Sequence, residues 1–302
     1  MSRPTRQTPA GRAYLDIQNR ARREGSSTQN LLTLYVVERW LARLADSPYA
    51  EQFVLKGGML LAAFDARRPT ADADALARNM ANDQDTILAR VIEIARLPDT
   101  DGGVEFLPDT ATARTIRDEA LYAGVRIAMD ARLATAAVKF RLDVNFGDPI
   151  TPAPRRLTLP SIRPDTPPVT VLGYPIETVL AEKIATAITL GAANTRIRDY
   201  ADIYTLTGQH DLTHAVMHEA LHATATFRQA PLVPLSTAVD NLVELRQAAY
   251  RAYRDSLDAD GEHLPDDLGV VVDAVTTFAD PLIQPAARPA TTWQARHRRW
   301  TD

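Results

Sequence analysis

Residues 138–146, VKFRLDVNF, alternate strictly between apolar and polar side chains. A period of two is typical of a β-strand that buries one face and leaves the other to water or to a charged cleft. Asp143 lies on the polar face of this strand. The preceding segment GVRIAMDARL, residues 124–133, alternates in the same way, so we expect it to be an antiparallel neighbour. The chain must therefore fold around a β-sheet with one polar face.

A second stretch, LKGGMLLAAFDARRPTADADAL at residues 55–76, joins a pair of glycines to a pair of aspartates. The pattern predicts a short strand, a turn at Lys56, Gly57 and Gly58, and then a short helix. Backbone N–H groups at such a helix start can bind phosphate. The segment therefore suggests a phosphate site next to a group of carboxylates.

The carboxylates are Asp72 and Asp74. On a strand, residues two apart face the same side, so both can bind one divalent cation. Asp143 on a neighbouring strand would be a third carboxylate, close to an attacking hydroxyl. The spacing has little specificity alone, because the chain contains four Asp-x-Asp pairs and Ala-Asp-Ala-Asp-Ala is a poor strand sequence. A solvated acidic loop is the alternative.

The composition excludes several classes of protein. The chain has 302 residues, of which 45% are hydrophobic and 24% charged, and this balance excludes wholesale disorder. It contains no cysteine, which excludes disulfides, thiolate metal sites and cysteine nucleophiles. We find no secretory signal and no apolar run near the roughly 20 residues that span a bilayer. We therefore expect a cytoplasmic protein without membrane contact.

Proline and helical periodicity divide the chain. Seven prolines between residues 149 and 168 exclude a helix there, so we place a lobe boundary in this stretch and expect it to run extended along the surface. Helices are predicted from residue 28, where Ser27 can act as N-cap, and over 86–96, 178–190, 197–206, 212–227 and 235–253. We predict an α/β fold of the α+β type: an N-terminal lobe with a mixed β-sheet flanked by helices, and a C-terminal all-helical lobe.

The predicted segments follow from this division. They are a basic N-terminal segment (1–27), a core lobe (28–150), a proline-rich connection (151–172), a helical lobe (173–285) and a basic C-terminal tail (286–302). We expect the two basic ends to be solvated tails, with contact to RNA as the alternative.

Four segments in order resemble one known family: ERWLARLADSPYAEQFVLKGGMLL, RPTADAD, LDVNFGDPITP and YPIETVLAEKIATAITLGAANTRIRDYADIY. The family is the AbiEii/AbiGii toxin family of nucleotidyltransferases, which includes the MenT toxins. It is similar to the DNA polymerase β-like nucleotidyltransferases, whose signature is Gly-Gly or Gly-Ser followed by Asp-x-Asp or Asp-x-Glu. Gly57-Gly58 and Asp72-Ala73-Asp74 match that signature. The resemblance implies a nucleotidyltransferase-like first lobe and a helical lobe that completes the active site.

Matched position by position, the resemblance implies three sets of residues. They are the nucleotide-binding residues Lys56, Gly57, Gly58, Lys183 and Arg198; the metal ligands Asp72, Asp74 and Asp143; and the catalytic residues Asp72, Asp74, Asp143, Lys183 and Asp199. Three carboxylates so close repel one another unless a cation neutralises them, so Mg²⁺ is the expected cofactor, with Mn²⁺ as the alternative ion. The implied partners are an NTP, an RNA acceptor with the 3′ end of tRNA as the leading candidate, and a cognate antitoxin protein. The implied function is a toxin that blocks translation and growth.

Four positions depart from the family pattern. Met59 stands where relatives carry a threonine or serine, which removes a hydroxyl from the turn. Ala73 and Leu76 replace bulkier residues. Arg198 stands where lysine is common, and the two side chains bind phosphate differently, as a planar fork and as a point charge.

A competing motif lies in the helical lobe. HEALH at residues 218–222 fits the zinc-peptidase pattern HExxH, with Glu244 as a candidate third ligand. His210 and His214 continue the same four-residue spacing, so a stripe of histidines along one helix is the simpler interpretation. Two further classes stay open: transfer to a protein or a small molecule, and a non-catalytic module that binds RNA or an antitoxin.

Overall fold

The computed structural model describes residues 4–70, 72–99, 101–117, 123–164, 166–285 and 291–302. The chain forms two compact units. The first comprises Met1–Gly147 and Arg155–Gly173, and the second comprises Asp148–Pro154 and Tyr174–Asp302. Residues 1–3 of the predicted N-terminal segment and residues 286–290 of the predicted C-terminal tail lie outside the described residues.

The first unit contains a seven-stranded mixed sheet with helices packed on it. The helices are α1 (Pro9–Glu24), α2 (Thr28–Ala45), α3 (Gly57–Leu60) and α4 (Gln84–Ala95). The strands are β1 (Phe53–Lys56), β2 (Ala73–Ala77), β3 (Val104–Arg117), β4 (Ala123–Leu133), β5 (Ala136–Phe146), β6 (Arg155–Leu159) and β7 (Val169–Gly173). Their order is β3-β4-β5-β2-β1-β7-β6; β2 and β5 are parallel, β1 and β7 are parallel, and the other pairs are antiparallel.

The core of this unit lies between α2 and the sheet. The Ser27 hydroxyl accepts the N–H of Asn30 at 3.3 Å and so caps α2, which confirms the predicted start of this helix. Trp40 of α2 is fully buried and packs against Phe53 of β1 and Phe140 of β5, with ring centroids 6.0 and 5.4 Å apart. Each of these side chains contributes about 2 kcal/mol through burial. The alternation predicted for β5 is confirmed, since its apolar residues are buried.

The second unit is largely helical. Its helices are α5 (Ile176–Leu190), α6 (Ile197–Gln209), α7 (His214–Arg228), α8 (Leu235–Ala238), α9 (Leu242–Asp255) and α10 (Leu268–Ala279). It also contains a small antiparallel sheet of β8 (Leu212–Thr213), β9 (Thr292–Gln294) and β10 (Arg299–Thr301), which the sequence pattern did not predict. Among the described helices of both units, none is long and apolar enough to cross a bilayer.

The prediction of one continuous helix over residues 235–253 was wrong. The chain forms α8 and α9 instead, because Asn241 adopts a left-handed conformation with φ of 63° immediately before α9. Asparagine tolerates this conformation better than most residues, and a helix cannot continue through it. Gly191 ends α5 as predicted, and its N–H donates to the carbonyl of Ala187.

The expectation of solvated tails was also wrong where the structure describes them. Ala13 and Ile17 of α1 are fully buried, because they share one face of that helix. Trp293 is fully buried too, and its indole N–H donates to the carbonyl of Thr207 at 2.7 Å. Trp300 stacks on Phe278 with centroids 5.2 Å apart. The aromatic residues at the C-terminal end therefore belong to the core of the second unit.

The proline-rich stretch contributes strands to the first sheet. Pro154 and Pro160 flank β6, which lies at the edge of the sheet, where proline removes no hydrogen bond from a central strand. The strand β7 follows and pairs with β1 through Leu55 and Gly173. The stretch therefore does more than connect two lobes, since it completes one side of the sheet.

Candidate active site

The register of four strands brings charged residues into one row. Asp74 of β2 lies opposite Asp143 of the parallel strand β5. On either side, Lys56 of β1 lies opposite Asp74, and Arg126 of β4 lies opposite Asp143. Residues directly opposite each other in a sheet share a face. The predicted carboxylates Asp74 and Asp143 are therefore neighbours, and a positive charge stands at each end of the row.

The backbone of Gly57 lies in contact with the side chain of Asp74. Its φ is +67°, in the left-handed region that glycine adopts without strain. A Cβ atom on Gly57 would lie 2.0 Å from Oδ2 of Asp74, which no side chain can tolerate. The carboxylate of Asp74 thus lies directly against the backbone of the glycine turn. This contact gives a physical reason for the first glycine of the pair.

The second glycine is covered by the segment that leads into β2. A Cβ atom on Gly58 would meet the hydroxyl of Thr70 at 2.9 Å and the Arg68 guanidinium at 3.4 Å. Arg68 therefore lies over the glycine turn, where it brings a further positive charge. Arg67 and Arg68 are adjacent in the sequence, ten residues after the glycine pair. The structure shows that one of them contacts it.

Asp72 lies one residue before β2, so the predicted strand includes Asp74 but not Asp72. One carboxylate oxygen of Asp72, Oδ1, is buried and accepts no hydrogen bond from the described residues. Arg141 of β5 forms an ion pair with this oxygen, with its Nη1 at 3.6 Å. A buried carboxylate oxygen without a donor is unfavourable by about 1–3 kcal/mol, so a ligand that satisfies it is expected.

Asp143 is held by a residue that the sequence analysis missed. The guanidinium of Arg126 donates from Nε to Oδ1 of Asp143 at 2.7 Å and from Nη2 to Oδ2 at 2.5 Å. This bidentate bond, together with the nearby charges of Asp72 and Asp74, raises the pKa of Arg126 above its ordinary value. Arg126 therefore stays charged at every accessible pH. The available signal was its position on the polar face of the segment 124–133.

The carboxylates fit a divalent cation in their chemistry. Mg²⁺ prefers hard oxygen ligands, and the buried unsatisfied oxygen of Asp72 lies in the same part of the sheet as Asp74. Among the described residues, however, no three histidine, aspartate or glutamate side chains are grouped closely enough to hold a metal ion. The bidentate bond from Arg126 uses one lone pair on each oxygen of Asp143. Each oxygen of Asp143 still has a second lone pair for another ligand.

In the second unit, Lys183 of α5 joins two aspartates of α6. Its ammonium donates to Asp199 at 2.5 Å and to Asp202 at 2.8 Å. Asp199 is 8% exposed and Asp202 is 5% exposed. Lys183 is itself largely buried rather than lying on an exposed helix face. Within these three side chains one negative charge is in excess.

The neighbours of this cluster have separate partners. Glu182 accepts a hydrogen bond from Arg228 of α7 at 2.8 Å. Asp202 accepts a hydrogen bond from Lys183. Arg198 lies in the first turn of α6 with an exposed side chain. The predicted residues Lys183 and Asp199 are thus in contact, and Arg198 is solvent-facing beside them in sequence.

The histidine stripe of α7 is bonded to the backbone. His214 Nε2 donates to the carbonyl of Pro281 at 2.9 Å, His218 Nδ1 to that of Leu282 at 2.8 Å, and His222 Nε2 to that of Ile283 at 3.3 Å. Three consecutive carbonyls are therefore satisfied by three histidines spaced four residues apart. Glu219 and Glu244, the other residues of a zinc-peptidase interpretation, are exposed. The stripe fixes the segment after α10 against α7.

Comparison with known proteins adds to this geometry. The model of the family described as nucleotidyl transferase AbiEii toxin, type IV toxin–antitoxin system, matches residues 39–280. A search of proteins with curated descriptions finds no match.

Among solved structures, the chain is similar to MenT4, a nucleotidyltransferase toxin from Mycobacterium tuberculosis H37Rv, with a TM-score of 0.58, 15% identity, and coverage of 92% of this chain and 90% of that one. It is also similar to a putative nucleotidyltransferase from H. pylori, with a TM-score of 0.47, 16% identity and coverage of 85% and 98%. A third similar structure is JHP933 from Helicobacter pylori, with a TM-score of 0.47, 15% identity and coverage of 85% and 93%. The first of these shows the same fold. Because the family model spans well over half of the chain, the protein belongs to the AbiEii family of nucleotidyltransferase toxins of toxin–antitoxin systems.

Proposed function

We propose that this nucleotidyltransferase moves a nucleoside monophosphate from an NTP to the 3′ end of tRNA and so blocks translation and growth. The observation that carries the proposal is the row in which Asp74 lies beside Asp143 and against the backbone of Gly57. Phosphoryl and nucleotidyl transfer depend on positioning and on charge stabilisation more than on covalent chemistry. A glycine turn in contact with neighbouring carboxylates supplies both.

The reaction assigns a task to each residue of the row. The 3′-hydroxyl oxygen of the acceptor forms a bond to the α-phosphorus, the bond from that phosphorus to the bridging oxygen breaks, and pyrophosphate leaves. In this proposal Asp143 accepts the hydroxyl proton as general base. Lys56 and the N–H groups of Gly57 and Gly58 bind phosphate oxygens. Arg126 holds the Asp143 carboxylate in one orientation through its bidentate bond.

Asp72, Asp74 and Asp143 would hold Mg²⁺, with Mn²⁺ as the alternative ion. Bound there, the metal supplies positive charge that draws electrons from the phosphate and offsets the repulsion among the carboxylates. The buried oxygen of Asp72 that lacks a donor supports this assignment, since a cation satisfies it.

Three residues of the second unit are assigned supporting roles. Lys183 neutralises charge that develops on the departing pyrophosphate, and Asp199 orients Lys183 through its hydrogen bond. Arg198 adds a second cation for phosphate, and its exposed side chain is consistent with a ligand contact. A cognate antitoxin protein is the expected partner, and the cytoplasm, where tRNA is met, is the expected location.

The test is a label-transfer assay. The purified protein, Mg²⁺ and total bacterial RNA are incubated with each of the four α-³²P NTPs in turn, beside Asp72→Asn. We expect one or more nucleotides to label a tRNA-sized band only with the unaltered protein. Label on a protein or a small molecule instead would overturn the RNA acceptor while keeping the transferase. Equal labelling by Asp72→Asn would remove the carboxylates from the mechanism.

A further inference from the structure

One face of the sheet in the first unit is open over β3, β4 and β5. It is the face that carries Asp143. On β5, Lys139 and Arg141 of this face are exposed, whereas Phe140 and Leu142 of the opposite face are fully buried. The same alternation continues on β4, where Arg132 is exposed. Polar and charged side chains therefore lie on a solvent-accessible strip beside the candidate active site.

Three arginine side chains of this strip lie at the end next to the carboxylates. Arg114 of β3 lies opposite Arg126, so the row through Asp143 extends to a second arginine. Arg114 is exposed, and the side chain of Arg141 is 44% exposed. Like charges directly opposite each other destabilise a strand pair. Arg126 is already bonded to Asp143, so within this pair it is the exposed Arg114 that can bind an added anion.

The other end of the same strip is electrically balanced. Lys139 forms an ion pair with Asp130 at 2.5 Å. Arg132 lies opposite Glu105 of β3. Cations there face acids across the strands. At the end next to the carboxylates, Arg126 is bonded to Asp143 and Arg141 lies 3.6 Å from Asp72, whereas Arg114 lies opposite another arginine.

The strand order separates this strip from the proposed nucleotide site. The glycine turn follows β1, and Arg114 belongs to the edge strand β3 on the other side of β2 and β5. Neighbouring strands lie about 4.8 Å apart, which puts Arg114 about 10 Å from Asp143 along the row. An NTP bound at Gly57 lies on the opposite side of the carboxylates. Arg114 therefore lies on the side of the carboxylates away from that NTP, where a second ligand has room.

We propose that the open strip at Arg114 and Arg141 binds the phosphodiester backbone of a single-stranded RNA end and leads its 3′-hydroxyl to Asp143. The inference rests on the proposed function, because that function requires an acceptor at Asp143. Arginine binds phosphate through a planar fork of donors, which suits successive phosphates of a strand. Exposed arginines on a flat sheet give binding that depends on charge and not on base sequence.

The test is RNA binding without NTP or metal. The full-length protein is titrated into a fluorescein-labelled 12-nucleotide single-stranded RNA with a free 3′-hydroxyl, and fluorescence anisotropy is followed at several NaCl concentrations. For Arg114→Ala we expect affinity to fall severalfold and the slope of log Kd against log salt to decrease by about 0.7, the change for one phosphate contact to a single strand. Arg114→Glu should weaken binding further.

The matched control is Arg132→Ala, an exposed arginine on the same face at its balanced end. It should leave the affinity and the slope unchanged. Melting temperatures of all variants are compared, since the exposed positions should leave folding intact. In the transfer assay, Arg114→Ala should raise KM for the RNA acceptor and leave KM for the NTP unchanged.

Three results would overturn the inference: unaltered RNA binding by Arg114→Glu, an equal loss in Arg132→Ala, or displacement of the RNA by a 12-residue polyglutamate at equal concentration, which would indicate an acidic protein ligand. RNA binding that depends on Arg114 but no label transfer from any NTP would instead sink the proposed function and keep the binding surface. Label transfer to RNA that is insensitive to Arg114 would keep the function and sink the surface.

Discussion

The aspartates at 72 and 74 and the histidines at 214, 218 and 222 differ in what the fold does with their polar atoms. Each of the three histidines donates to a backbone carbonyl of the segment after α10. In contrast, Oδ1 of Asp72 is buried without a donor among the described residues, and Asp74 lies against a glycine turn. The histidines stabilise the fold, whereas the aspartates retain capacity for a ligand.

The sequence motifs alone would favour the histidines over the aspartates as the ligand-binding residues. HExxH is the more specific pattern in the sequence, while Asp-x-Asp occurs four times in this chain. Neither place shows three metal-binding side chains grouped among the described residues, so clustering does not separate the two. His214 also has a buried ring nitrogen, Nδ1, without a partner among the described residues, so satisfied hydrogen bonding separates Asp72 from His218 and His222, the two histidines of the HExxH pattern, and not from His214. Within the two motifs themselves, Asp72 has a buried polar atom without a partner among the described residues, and none of residues 218–222 has one.

The largest expected effect is on Asp74. In Asp74→Asn the side chain keeps its shape against Gly57 but loses its charge, so we expect nucleotidyl transfer to fall about a thousandfold or more. Thermal unfolding should change little. The matched control is Asp85→Asn, an exposed aspartate of another Asp-x-Asp pair, which should transfer at the normal rate. Comparable losses in both variants would remove the distinction between this pair and the other three.

Chelation distinguishes the two motifs directly. We expect EDTA to abolish transfer and added Mg²⁺ to restore it, because three carboxylates need a hard cation. We expect 1,10-phenanthroline, which removes zinc and leaves Mg²⁺, to have no effect. Inhibition by phenanthroline with recovery only on addition of Zn²⁺ would reassign the metal chemistry to the histidines of α7.

Local patterns predicted much of this fold, because alternation and capping act within one element. The strand β5, its antiparallel neighbour β4, the start of α2 at Ser27 and the end of α5 at Gly191 all follow from residues close in sequence. The expected mixed sheet and helical lobe are the architecture observed. Elements of this kind need no knowledge of what packs against them.

What could not be predicted depends on register between distant segments. The bond from Arg126 to Asp143 exists because β4 and β5 pair so that these residues are opposite, and a shift of one residue would put them on different faces. The same holds for the partners of Lys183, which require α5 and α6 to pack at one particular turn. The break at Asn241 was missed because an apolar periodicity continued across it.

Variants of the Lys183 cluster test whether side chains that are bonded to one another within the fold can also take part in catalysis. Lys183→Gln leaves Asp199 and Asp202 buried without their cation, so we expect a loss of about 3 kcal/mol in the free energy of unfolding together with loss of transfer. Asp202→Asn keeps the bond from Lys183 to Asp199 and should retain transfer while lowering stability less. If the two variants lose transfer in proportion to stability, the cluster is structural like the histidines.

The smallest effect is expected at His218, the first histidine of the HExxH pattern. In His218→Gln the bond from Nδ1 to the carbonyl of Leu282 is lost or lengthened, which should lower the free energy of unfolding by about 1 kcal/mol. Urea unfolding measures this change, and nucleotidyl transfer at a temperature where both proteins are folded should be the same as that of the unaltered protein. Since His214 and His222 make equivalent bonds to neighbouring carbonyls, their glutamine variants serve as controls and should lose similar stability. A variant that unfolds normally but no longer transfers would show that the stripe takes part in the reaction, and the distinction between satisfied and unsatisfied polar atoms would then fail for this protein.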